Sequence, residues 1–215
     1  MSTGMGTDNI EIVMNELDAL VNVDFDNRKV KEERQRLRII RIGTSGSIST
    51  DIPVGSIVAS ASGMGMDTLM ELYSNPASPA ECAIAEEFRT HMNFSFTPYL
   101  ISANAALMET MGGGCLKGNT LTCPGFYVPQ GRQLRAASVR ENYLNRLRSF
   151  RAGEFTFGNL EMETSAYYAF GRIFGHQVLS LNAILANRIT GEFVSDHIGL
   201  ERELIEYTLE RIGDL

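Results

Sequence analysis

Strand-length apolar runs alternate with amphipathic helical segments along most of the chain. That alternation points to an α/β layered fold. Residues 37–42 form a short apolar run carrying arginines and predict a strand. It closes in the polar turn Gly43-Thr44-Ser45-Gly46-Ser47. Residues 55–61, 115–123 and 177–186 read as further strands. Between them lie predicted helices. Asp8 and Glu11 have capping-box spacing and open one that runs to about Val21. Residues 81–92, 103–111, 139–148 and 161–174 predict four more, the last stopped by Gly175. Ser195 or Asp196 caps a final helix through Ile212. Residues 24–38 read as a charged connector of mixed sign.

At 215 residues the expectation is one domain over 1–215, since a domain commonly takes about 100–200 residues. The net charge of -7 argues against nucleic acid, which calls for a basic face. It leaves small anions open, because placed arginines can oppose the net charge. Sixteen of the nineteen basic residues are arginine, the side chain suited to bidentate oxyanion contacts. Cys82, Cys115 and Cys123 lack metal-type spacing and read as reduced thiols of a cytoplasmic protein. No signal-peptide or membrane-spanning run stands out.

Four segments could carry chemistry. Arg41-Ile42-Gly43-Thr44-Ser45-Gly46 follows a strand and could expose an anion nest, with Arg41 as a charged fork and Thr44 as a hydroxyl donor. An ordinary strand-to-loop turn with a solvated arginine gives the same pattern. Phe126-x-x-x-Gln130-x-Arg132 offers an amide donor and acceptor side by side, which matches an imide edge. A plain Pro/Gly loop is the alternative. Glu161-Met162-Glu163 places two carboxylates at a strand-to-helix junction. One could bind a pair of sugar hydroxyls, or both could simply favour the helix dipole. Asn187-Arg188 ends an apolar strand, where α/β sheets commonly bind ligands. A surface arginine is the ordinary alternative. Ser195-Asp196-His197 is no triad, because consecutive side chains diverge. The histidines and cysteines show no metal-ligand spacing.

Taken together, these segments resemble the nucleoside phosphorylase family, in its uridine phosphorylase branch. The motifs that carry the likeness are Ser2-Thr3-Gly4-Met5-Gly6, the Arg41–Gly46 segment, the Phe126–Arg132 loop, Glu161-Met162-Glu163 and Asn187-Arg188. The resemblance implies a three-layer α/β fold of phosphorylase/hydrolase type with a central mixed β-sheet, lacking the family's N-terminal strand segment. It implies a pentosyltransferase that converts uridine and phosphate to uracil and ribose 1-phosphate, in pyrimidine salvage.

On that resemblance Arg41 and Thr44 bind phosphate. Glu163, Met162 and Met5 bind ribose, and Phe126, Gln130 and Arg132 bind the base. Arg188, Gln130 and Arg132 are the implied catalytic groups. No cofactor or metal is implied, phosphate being a co-substrate. The implied partners are small molecules and further copies of the chain, as a homodimer or a hexamer. Purine-specific relatives carry an Asp at the strand end, where this chain has Asn187-Arg188. That ranks uridine ahead of purine nucleosides. A purine phosphorylase, a nucleosidase of the same fold, and a catalytically impaired nucleoside-binding form are the other readings.

Overall fold

The computed structural model describes residues 1–213. The N-terminal helix α1 (Thr7–Asn22) is followed by a short hairpin of β1 (Val23–Asp24) and β2 (Lys29–Val30). Then come β3 (Arg38–Ser47), β4 (Ile57–Gly65), α2 (Pro79–Met92), β5 (Tyr99–Ser102), α3 (Ala105–Met111) and β6 (Leu116–Thr122). The chain ends with α4 (Tyr143–Ser149), β7 (Phe157–Glu161), α5 (Thr164–Phe174), β8 (Gln177–Asn187) and α6 (His197–Ile212).

The main sheet is mixed, in the order β5-β4-β6-β7-β3-β8. β4 also pairs antiparallel with β8 at residues 57–59, so β4, β6, β7, β3 and β8 close into a ring. Helices flank it. Ile10 and Met14 of α1 pack with α5 and with Tyr99 and Ile101 of β5. Leu107 and Met111 of α3 pack with Leu200 and Leu204 of α6 against β8. A third cluster joins Phe88 of α2, Leu147 of α4 and Leu160 of β7.

Several sequence expectations need correction. The glycine motif at residues 43–47 is not a turn. It stays in β3, in parallel register with β8 from Gly43↔Asn182 to Ser47↔Asn187, with one register shift after Ser45. The ladder overrides the local turn propensity of Gly-Thr-Ser-Gly. The helix expected at 161–174 is α5 and ends as expected at Gly175, but it begins only at Thr164, because Glu161 still pairs with β6 at the end of β7. The helix expected over 139–148 is shorter, starting at Tyr143. The expected Asp8–Glu11 capping box is absent: Gly6 is the N-cap of α1 and no side chain caps it. The capping box occurs instead at α2, between Ser78 and Glu81. β5, β7 and the β1–β2 hairpin were not expected. The expectation for α6 is met, with Asp196 as its N-cap accepting from the Gly199 N–H at 2.8 Å.

Candidate active site

A cavity of about 1050 Å³ runs along β3 from Arg38 to Gly46, beside the carboxyl end of β7. All nine site residues expected from the sequence line it: Met5, Arg41, Thr44, Phe126, Gln130, Arg132, Met162, Glu163 and Arg188. The cavity wraps an open strand edge. From Arg38 to Ser45, β3 is paired with β8 alone, and β7 joins it only at Gly46 and Ser47.

Arg41 sits on the face of β3 that carries Gly43 and Ser45, since side chains alternate along a strand. Its guanidinium folds back over Gly43. A Cβ there would lie 2.6 Å from Nη2, so glycine is what makes the room. Nη1 donates to Asn182 Oδ1 at 2.6 Å and to Ser180 Oγ at 3.2 Å. Nη2 lies 2.7 Å from Glu163 Oε2 and 3.0 Å from Glu161 Oε2. Burial alone would weaken the charge on Arg41. The two facing carboxylates outweigh it and hold its pKa above the ordinary value.

The two acids divide their tasks. Glu161 is buried, and its Oε2 accepts from the Glu163 and Thr164 N–H groups at 2.9 Å each, satisfying the start of α5. Its Oε1 accepts from Thr122 Oγ1 at 2.7 Å. Glu163 points instead into the cavity, where its Oε1 takes the Gly6 N–H at 2.9 Å. Burial, then the charge of Glu161, raise the Glu163 pKa, and Arg41 only partly offsets them. Thr44 lies on the opposite face of β3 and is exposed, so it and Arg41 meet only around the open strand edge.

The 126–132 loop forms a compact unit. A 3-10 turn at Val128–Gln130 buries Gln130. Arg132 Nη1 donates to Gln130 Oε1 and to the Phe126 carbonyl, both at 2.6 Å. Its guanidinium lies 3.7 Å from the Phe126 ring centroid, a cation–π contact. Arg188 follows β8 and passes over Gly46. Its Nε and Nη2 are shielded from solvent without a hydrogen-bond partner, and burial lowers its pKa. Met5 is exposed at the rim, and Met162 is half-buried.

Sequence reasoning missed several cavity residues. Tyr167 lines the cavity and donates its hydroxyl to Thr3 Oγ1 at 3.0 Å. Ile205, Leu209 and Ile212 of α6 form an apolar wall. Their helical spacing, separate from the core-facing Leu200 and Leu204, is the signal that could have found them. Asn182 carries no local signal.

A model of the phosphorylase superfamily matches residues 1–212. The chain belongs to this superfamily. It is similar to a uridine phosphorylase of Thermococcus kodakarensis, 26% identical over 195 residues, or 89% of this chain and 58% of that protein. The chain therefore spans less than two thirds of that curated relative. Its fold resembles that of a Trypanosoma brucei nucleoside phosphorylase described as showing uridine phosphorylase activity. The TM-score is 0.84 at 24% identity, over 100% of this chain and 79% of that one. A uridine phosphorylase of the oomycete Phytophthora capsici is similar at TM-score 0.63 and 22% identity, over 98% of this chain and 66% of that one. These superfamily structures share the α/β architecture with a central mixed sheet. Among the described residues no three His, Cys, Asp or Glu side chains are placed to hold a metal ion. No helix among them is long and apolar enough to cross a membrane.

Proposed function

We propose that this superfamily member catalyses the phosphorolysis of uridine, giving uracil and ribose 1-phosphate. The observation that carries the reading is the presence, in the lining of one cavity, of an acid–arginine couple and an amide–arginine couple. Glu163 with Arg41 suits a sugar beside an oxyanion. Gln130 with Arg132, over the Phe126 ring, suits an imide edge.

Arg41 and Thr44 bind phosphate at the open edge of β3. Glu163 accepts hydrogen bonds from the ribose hydroxyls, while Met162 and Met5 pack on the sugar. Gln130, Arg132 and Arg188 donate to the uracil oxygens. Breaking the glycosidic bond leaves positive charge on ribose and negative charge on the base. Donors already aimed at the base stabilise the departing anion. Phosphate beneath the sugar stabilises the cation and then attacks it, gaining from its fixed position. Glu163 must be ionised to accept two hydroxyls, and the neighbouring Arg41 favours that state.

The chain works as one nucleoside phosphorylase-like domain over 1–215, in a homodimer or a hexamer, in cytoplasmic pyrimidine salvage. The test follows the ultraviolet absorbance of uridine with and without phosphate. Loss of absorbance only with phosphate is expected, together with release of ribose 1-phosphate. Cleavage that ignores phosphate would mark a nucleosidase instead. Binding without turnover would mark an impaired form.

A further inference from the structure

The interior of the barrel is crossed by a polar chain. Arg41 Nη1 donates to Asn182 Oδ1 at 2.6 Å. Asn182 Nδ2 donates to Ser60 Oγ at 2.9 Å and to Ser180 Oγ at 3.3 Å. Ser60 Oγ and Thr120 Oγ1 share a hydrogen bond of 2.6 Å. Thr120 Oγ1 donates to Asn159 Oδ1 at 2.9 Å, and Asn159 Nδ2 donates to Ser45 Oγ at 2.7 Å. The Ser45 hydroxyl donates to the Leu160 carbonyl at 2.9 Å. Since Thr120 spends its proton on Asn159, Ser60 must donate to Thr120. Every bond then runs in one direction, from Arg41 to Leu160.

Ser60, Thr120, Asn159 and Asn182 are all fully buried. Aligned bonds strengthen one another in such a setting, and a broken link is expensive. Stability alone does not ask for this arrangement, because a well-packed apolar filling can serve a core at least as well. What distinguishes the chain is where it starts and ends. It starts at Arg41, returns to β3 at Ser45 beside Thr44, and stops at Leu160, the residue before Glu161. Each end abuts a group assigned above to phosphate or to the acids that hold Arg41.

We infer that Asn182 is a positioning residue for phosphate binding: anchored by the Ser60–Thr120–Asn159–Ser45 chain, it holds Nη1 of Arg41 so that the guanidinium, with Nη2 shared by Glu161 and Glu163, keeps its place in the cavity wall. This rests on the reading of Arg41 as a phosphate ligand. Asn182 itself is absent from the cavity lining, so it acts through Arg41. Without it, Nη1 would keep only Ser180, at 3.2 Å, and the guanidinium could turn about its Nη2 contacts to the two glutamates.

The test compares the wild-type chain, Asn182→Ala, and the double variant Ser60→Ala/Thr120→Val. Each is titrated with inorganic phosphate by calorimetry, assayed for KM of phosphate and of uridine, and melted. Asn182→Ala is expected to raise the phosphate KM and Kd about tenfold while leaving the uridine KM within about twofold. The double variant leaves Asn182 Nδ2 and Asn159 Oδ1 each short of a buried partner, so it is expected to melt lower. Its folded fraction is expected to weaken phosphate about threefold while keeping the uridine KM within about twofold. Phosphate constants equal to wild type in both variants would overturn the inference. So would equal losses for phosphate and uridine that track the loss of folded protein. A wild type that fails to bind phosphate overturns the reading of Arg41 and this inference together. Normal wild-type binding with unaffected variants overturns this inference alone.

Discussion

Nη2 of Arg41 lies 2.7 Å from Oε2 of Glu163, and Glu161 shares the same nitrogen at 3.0 Å. One buried cation thus serves two acids, and it ties the proposed phosphate ligand directly to the proposed ribose ligand. Removing it does two things. Arg41→Ala leaves two neighbouring carboxylates without their counter-charge and is expected to destabilise the fold by about 3 kcal/mol. It should also lower kcat/KM by about a hundredfold or more, as loss of a placed oxyanion donor does. Denaturant melts and steady-state kinetics check both effects.

Glu163 predicts a pH dependence. Burial and Glu161 raise its pKa above the ordinary carboxylate value. Below that raised pKa it is protonated and loses one acceptor for the ribose hydroxyls. Activity on uridine should therefore fall, as pH drops, earlier than an ordinary carboxylate would cause. Glu163→Gln should lower kcat/KM by about a hundredfold and remove this acid limb. A pH–rate profile of both proteins decides it. An unchanged limb in the variant would assign it elsewhere.

Gly43 sets the space for Arg41. In Gly43→Ala the new methyl would lie 2.6 Å from Nη2, so the guanidinium must move. Overpacking of this kind is expected to cost about 1–3 kcal/mol. The phosphate KM should rise more than the uridine KM, because the displaced group is the proposed phosphate ligand.

Away from the site, Glu81 joins α2, β5 and α5. It accepts from the Ser78 and Ser102 N–H groups at 2.7 Å each and from Arg172 at 2.6 and 3.0 Å. Despite the opposing effect of burial, Arg172 and these N–H groups lower its pKa to about 2. A depressed carboxylate pKa contributes stability that is complete above the unfolded value. The contribution is lost as pH falls toward the folded value. Glu81→Gln should cost about 2 kcal/mol at neutral pH. It should also flatten the decline in stability between about pH 5 and pH 2, measured by urea unfolding.

Much of the cavity lining was legible in the sequence because the motif residues lie close together on single elements. Phe126, Gln130 and Arg132 share one loop, and Glu161 to Glu163 span one junction. The strand continuing through Gly43-Thr44-Ser45-Gly46 was not legible, because its local chemistry reads as a turn. It stays extended through the long ladder to β8. β7 escaped for a similar reason: Phe-Gly-Asn-Leu-Glu has weak strand character alone. Yet Asn159 is held inside the barrel by Thr120 and Ser45. The polar chain from Asn182 to Ser45 joins residues of five strands. No periodicity along one segment can reveal a contact set by ring closure.

The central claim is tested most directly by following uridine absorbance on mixing with the purified chain, with phosphate as the variable and inosine as the rival substrate. The account predicts loss of uridine only when phosphate is present, with release of uracil and ribose 1-phosphate. Phosphate-dependent cleavage of inosine with uridine untouched would contradict it.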